Sequence, residues 1–298
     1  MKNTTLLLPV KTLIFFSLFL ILLATVPWYG KMFMLLWYGS LFFQSAFLHR
    51  YSAHGQFSMN KSKEKMFFVL TWLLQGSSYL SATAYGIMHR LHHSYVDTKD
   101  DPHSPSYQKN IMQMMLRTRD IYSEILHHRT FLERKIDEKY FKNVPEWIWF
   151  DKRASSIISR LFWVMVYVIS YISIAYYEQV SGLEWLAVGV IMIASLGMAP
   201  IHGAIINWWG HIYGYHNHDL DNTSTNISIG KSTKIHWYHI PFSLLMNFLM
   251  MGEDIHNNHH ARQHSLDFAQ KWWELDMTYV ILLVFDSFKI ITIKRGSL

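Results

Sequence analysis

Four stretches of this chain are apolar for long enough to cross a lipid bilayer, and no other feature restricts its possible folds as strongly. A crossing helix needs about 20 apolar residues, within a range near 17–25. Residues 6–26, 32–48, 157–177 and 186–206 reach that length. The second is the shortest, about 26 Å at 1.5 Å per residue. The last two are joined by the acidic loop "EQVSGLE" and read as a hairpin. No small-x-small cleavage pattern follows the first run, so it reads as a retained span rather than a signal peptide. Two further apolar runs fall short. Residues 67–74 lead directly into "QGSSYLSATAYG", whose polar groups lipid would leave unsatisfied. Residues 65–85 are therefore expected to form one helix on the membrane surface or partly inserted. The same holds for "WYHIPFSLLMNFLMMG", residues 237–252, which is short and holds Pro241 and Asn247.

Charge orients these hairpins. Segments 49–160 and 207–298 carry 24 of the 27 Lys and Arg, whereas loops 27–31 and 178–185 share only Lys31. The positive-inside rule places the basic segments in the cytoplasm. The net charge of +6 thus reads as a topology signal and a fit to anionic headgroups. A nucleic-acid partner is not expected, because the basic residues are scattered and no recognition motif accompanies them. The expected architecture is an all-α membrane protein with four transmembrane helices in two hairpins. Residues 1–298 then make one integral-membrane domain, with a cytosolic helical cap of residues 49–156 and 207–298.

The chain has 18 histidines and no cysteine. Disulfides, thiolate zinc and cysteine-ligated iron–sulfur clusters are excluded, so a bound metal must be held by nitrogen and oxygen. The histidines gather beside the apolar runs: "HRYSAH" (His49, His54), "HRLHH" (His89, His92, His93), "NWWGH" (Asn207, His211) and "HNNHH" (His256, His259, His260). In H-x-x-H-H the positions i, i+3 and i+4 share one helix face, so three imidazoles can converge. Asn207 and His211 are also i and i+4. His49 and His54 are five apart, about 140° round an ideal helix, and need a helix end or two metals to be used together. Nine histidines exceed what one ion takes; two ions with four or five imidazoles each would use them all. All-nitrogen ligation suits iron, zinc, copper or nickel. Isolated histidines have blander readings. His127, His128, His216, His218, His236 and His264 read as surface or packing residues. His103, in "DDPHSP", reads as a loop-shaping residue, and His202 as a neutral imidazole bonded to a carbonyl inside the fourth span. "KWWELDMTY" reads as an interfacial anchor.

Together these motifs resemble the membrane fatty acyl desaturases of the stearoyl-CoA (delta-9) type, over about residues 30 to 285. "DDPHSP", "DNTSTN", "GEDIHNNHHA" and "KWWELD" are similar to bacterial members. The resemblance implies four transmembrane helices with a cytosolic cap, and nine histidines holding two iron ions (Fe2+/Fe3+). Carried over, the ligands are His49, His54, His89, His92, His93, His211, His256, His259 and His260, with Asn207 acting through a metal-linked water. It also implies dioxygen as co-substrate and a cis double bond, at delta-9, in a long saturated acyl chain. Acid–base side chains cannot activate aliphatic C–H bonds, so a metal–oxygen oxidant must. Asp97, Asp100, Asp101, Glu253 and Asp254 are candidates to bond ring N–H groups of the ligands.

Mammalian acyl-CoA members place an Arg-Asp pair just before the second histidine box, where this chain has Ile87 and Met88. The carrier is therefore open among CoA, acyl carrier protein and a membrane lipid. The chain has no redox module and no Gly-rich dinucleotide fingerprint, so a separate ferredoxin-type or cytochrome-type donor is expected. The expected site of action is the cytoplasmic side of a bacterial inner membrane. The alternatives are a diiron lipid hydroxylase or acetylenase and, in another class, a metal or haem transporter. Transport ligands belong near the bilayer midplane, whereas these histidines lie at span ends. Phe33 and Trp37, i and i+4 on the second span, are candidates for the end of a substrate tunnel. Twelve residues separate Trp37 from His49, about 18 Å of helix.

Overall fold

The computed structural model describes residues 2–133, 137–232 and 234–297, with side chains omitted for 2–7, 128–133 and 295. The described residues are mostly helical, and the five strands among them are two residues each. Helix α1 (Lys2–Thr25) and helix α2 (Trp28–Phe43) form the first hairpin. The second hairpin pairs α7 (Ile157–Tyr177) with α8 (Glu184–Leu196), which continues as α9 (Met198–Ala204). Between them lie α3 (Lys61–Gln75), α4 (Ala82–Tyr95), α5 (Ile111–Glu133) and α6 (Ile148–Ala154). After them come α10 (His239–Met250), α11 (His256–Ala261) and α12 (Met277–Ser287). Strands β1 (Phe57–Ser58) and β5 (Thr292–Ile293) pair antiparallel, and β2 (Gly214–Tyr215) lies between β3 (Asn226–Ile227) and β4 (Lys231–Ser232).

Among the described residues, two helices are long and apolar enough to cross a membrane, Leu8–Thr25 within α1 and Ile157–Tyr177. Their outer faces are bare: Leu13, Leu20, Ile158 and Ile169 are exposed, an apolar surface that a soluble monomer does not present. The chain is thus a membrane-associated protein.

The other two expected spans are corrected in shape. The straight helix expected over 186–206 bends by 82° between Glu184–Leu196 and Met198–Trp209, and counts as a third span only as a broken one. Gly197 sits at the bend, and Pro200 lies in the first turn of α9, where its missing N–H costs no helical bond. The run expected over 32–48 is α-helical only to Phe43, then continues as a π-helix, Gln44–Ala53. Nor is 65–85 one helix. It breaks after α3 at Gly76, whose φ of 53° is left-handed and where a Cβ would collide with the Tyr167 hydroxyl.

The core lies where α2 and its π extension meet α3, α10 and α12, with Phe43, Phe47, Phe67 and Phe68 packed edge to face. Burial of such aromatics dominates packing energy, and it fixes the end of α2 that carries the first histidines.

Candidate metal centre

The π-helix decides how the first histidines are presented. Its hydrogen bonds run i to i+5, as in the bond from His54 N–H to the His49 carbonyl at 3.2 Å. Residues five apart then share a face, and His49 and His54 meet with ring centroids 4.9 Å apart. The 140° separation of an ideal α-helix does not apply. Asn207 lies in a second π segment, Ile205–Trp209, that leads to His211.

The ring nitrogens of the nine histidines form two groups, each with its atoms within 4.8 Å of one another, and a third such group joins His92 to Asp101 and His103. The first gathers His49, His54, His89, His93 and His259; the second gathers His92, His211, His256 and His260. The two H-x-x-H-H boxes each divide between the groups: His89 and His93 face one and His92 the other, and likewise His259 against His256 and His260. Within the first group, Nε2 of His49 and of His93 lie 3.0 and 2.9 Å from Nε2 of His259. In the second, His256 Nε2 lies 3.1 Å from that of His211 and 3.0 Å from that of His260. Nitrogens about 2.1 Å from a shared ion would be spaced this closely. Burial, followed by mutual repulsion, holds His54, His89, His93, His256, His259 and His260 well below the ordinary imidazole range. Burial pushes His211 down to about 4. Neutral rings converging lone pair to lone pair suit a cation. His54 Nε2, buried without a hydrogen-bond partner, points the same way.

Carboxylates fix the rings from behind. His49 Nδ1–H donates to Glu253 Oε2 at 2.6 Å, and His92 Nδ1–H to the Asp101 carboxylate at 2.9 Å. Burial pushes Glu253 up, but His49 and Arg50 together outweigh it and hold the carboxyl at about 2. For Asp101, too, His92 overcomes burial and keeps it well below its usual range. Asp97 Oδ1 stands 3.8 Å from His211 Nδ1. The other two candidates turn elsewhere. Asp100 is on the surface, and Asp254 accepts from Asn247 Nδ2 at 2.7 Å.

Several residues that build the centre carry no sequence signal of their own. Arg50, fully buried, donates to Glu253 Oε1 and Asp276 Oδ2, both at 2.7 Å, with its guanidinium 4.0 Å from the Phe268 ring centroid. Asn258 Nδ2 donates to Glu274 Oε2 at 2.9 Å, and Glu274 Oε1 accepts from Tyr215 at 2.8 Å. "KWWELD" is therefore more than an anchor: Trp272 is exposed, but Glu274 braces the last histidine box through Asn258, and Asp276 holds Arg50 of the first. His103 is also more than a loop residue, since it is buried 4.2 Å from the His92 ring, with neither ring nitrogen hydrogen-bonded. His202 has no carbonyl partner; both its ring nitrogens are unbonded among the described residues. His127, His216 and His218 bond to Ser123, Ser232 and Gln270, His236 stacks on Tyr238, and His264 is exposed. The His128 side chain lies outside the described residues.

A cavity of about 390 Å³ touches His49, His89, His256, Asn207 and Glu253, with Leu41, Met88 and Met115 in its walls. Phe33 and Trp37 line a different, apolar cavity of about 690 Å³, together with Met34, Met246 and Leu249. Trp37 also packs edge-on against His202, at 4.3 Å between ring centroids, and His202 borders the smaller cavity.

A family model for fatty acid desaturases matches residues 26–286. Among curated relatives, the delta-9 desaturase-like 5 protein of Arabidopsis thaliana is 24% identical over 246 residues, covering 80% of this chain and 67% of its own length. The sn-1 stearoyl-lipid 9-desaturase of Synechocystis sp. is 26% identical over 252 residues, 78% of this chain and 61% of its own. The hex-5-enoyl-(acyl-carrier protein) acetylenase of Moorena producens is 24% identical over 260 residues, 83% of this chain and 70% of its own. With its histidines converged and its match running nearly end to end, the chain belongs to the fatty acid desaturase family and is an oxidoreductase.

Proposed function

We propose that this chain is an oxygen-dependent acyl desaturase that introduces a cis double bond, at delta-9, into a long saturated chain. The observation that carries this reading is the pair of buried imidazole groups opening on one largely apolar cavity. Two irons fit this donor set: neutral nitrogens, five in one group and four in the other, with Asn207 on the cavity wall placed to act through a water. Bound iron, with dioxygen and two electrons, supplies the oxidising power that unactivated C–H bonds require.

The rest is done by the chain's own residues. Glu253 and Asp101 hold Nδ1–H of His49 and His92, which turns each Nε2 lone pair inward. Leu41, Met88 and Met115 exclude water and confine an extended chain. Arg50 keeps Glu253 ionised and in place.

The reading includes a four-span arrangement in the bacterial inner membrane, in which the bent α8–α9 pair and the 16-residue α2 are shortened spans. Residues 1–298 then form one domain, with the cap of 49–156 and 207–298 on the cytoplasmic side. A separate ferredoxin-type or cytochrome-type donor delivers electrons, and CoA, acyl carrier protein or a lipid carries the chain. The name of the Moorena relative favours a second reading, acetylenase action on an existing double bond. Expression with isotope-labelled saturated and, separately, monounsaturated fatty acids, followed by mass spectrometry that locates unsaturation, tests both. A new cis double bond supports desaturation; a triple bond or hydroxyl alone refutes it.

A further inference from the structure

The cavity beside the histidine groups carries a polar pair that desaturation of a plain hydrocarbon does not need. His202, on α9, is fully buried and lines this cavity with neither ring nitrogen hydrogen-bonded. Gln44, the first residue of the π-helix, lines it too, and its Oε1 is buried without a partner. Both line the same cavity, and Gln44 Nε2 lies 4.0 Å from where a Cβ on Gly203, the residue after His202, would stand. Two serine hydroxyls in the wall are occupied. Ser77 donates to the Leu196 carbonyl at 2.8 Å, and Ser78 donates to the Gln75 carbonyl at 2.8 Å.

His202 borders the cavity with both ring nitrogens unbonded. Behind it stands the edge of Trp37, whose own N–H is already given to the Leu249 carbonyl at 2.9 Å. Leaving such groups bare in an apolar enclosure costs free energy that a native fold normally recovers through a partner. A neutral imidazole offers one donor and one acceptor, and the Gln44 oxygen adds an acceptor. Their complement is an oxygen that both donates and accepts. His202 and Gln44 line the cavity that also touches Asn207 and His49, so that oxygen sits inside the acyl cavity.

We propose that His202 and Gln44 form a hydroxyl-binding subsite within the acyl cavity and so set which chains it accepts. The oxygen is supplied either by a hydroxyl on the acyl chain or by a water that plugs the cavity and limits chain length. This rests on the acyl-cavity reading above. The test is binding rather than turnover. Native mass spectrometry of the full chain in nanodiscs compares stearic acid, its monohydroxy derivatives and saturated acids of graded length.

If the chain supplies the oxygen, one hydroxy isomer binds about tenfold tighter than stearic acid. That preference disappears in His202→Leu and Gln44→Leu and persists in His202→Gln. If water supplies it, no isomer is preferred, and His202→Leu shifts binding about tenfold towards longer saturated acids. Variants that keep both the wild-type isomer preference and the wild-type length profile would overturn the subsite. Failure of the wild type to bind any fatty acid would overturn the acyl-cavity reading, and the subsite with it.

Discussion

Glu253 shows how one side chain can control a centre that it does not enter. Its two oxygens take His49 Nδ1–H on one side and the Arg50 guanidinium and Ser45 hydroxyl on the other. Substitution of such a carboxylate behind a metal-ligating histidine usually costs 10–100-fold in metal affinity or activity. Glu253→Gln is therefore expected to lose iron in chelator competition by about that factor, while Asp254→Asn, which bears on Asn247 instead, retains it. Equal retention by both variants would remove Glu253 from the centre. Asp151 makes a separate prediction about stability. Burial pushes its carboxyl up to about 6, against the bonds it accepts from Tyr79 and Ser81. The folded state thus binds this proton more tightly than the unfolded chain, so stability falls as pH rises from about 4 to 6 and stays lower above that. The cost at neutral pH is on the order of 2–3 kcal/mol. Asp151→Asn should flatten the melting temperature across that window; parallel wild-type and variant profiles would refute the assignment.

At the scale of elements, what was legible in the sequence followed from chemistry and what was not followed from backbone geometry. The nine clustered histidines stood out because packing alone has no use for so many imidazoles at helical spacing. The partnership of His49 with His54 did not, because the switch from α2 to a π-helix depends on tertiary packing. Local propensity contains no trace of it. Arg50, Asn258 and Glu274 were equally silent, since their partners lie far along the chain, as in the 203 residues between Arg50 and Glu253. The same distance hid the roles of His103 and His202. Long apolar runs revealed α1 and α7, but not the bend at Gly197, which keeps the composition of a straight span. The turn into α11 can be tested directly. Gly252 has a φ of 93°, and a Cβ there would lie 2.6 Å from the Asp276 Cα. Gly252→Ala should destabilise the protein by about 1–3 kcal/mol and release metal with it, read by thermal melting and metal content together. An unchanged melting temperature and full metal would mean that the turn relaxes freely.

For the whole molecule, the two cavities bear on chain length. Trp37 and its contact with His202 stand between the histidine-lined cavity and the larger apolar one. Trp37→Ala should join them and move preference towards longer acyl chains; an unchanged product profile would mean that Trp37 does not bound the path of the acyl chain. The central claim is that two irons sit in the two imidazole groups of one chain. Its most direct test is metal analysis of purified, active protein, paired with the turnover of that same sample. The account predicts about two irons per chain, with turnover lost in His259→Ala while the variant still inserts in the membrane. A fully active preparation holding one tightly bound metal per chain would contradict it.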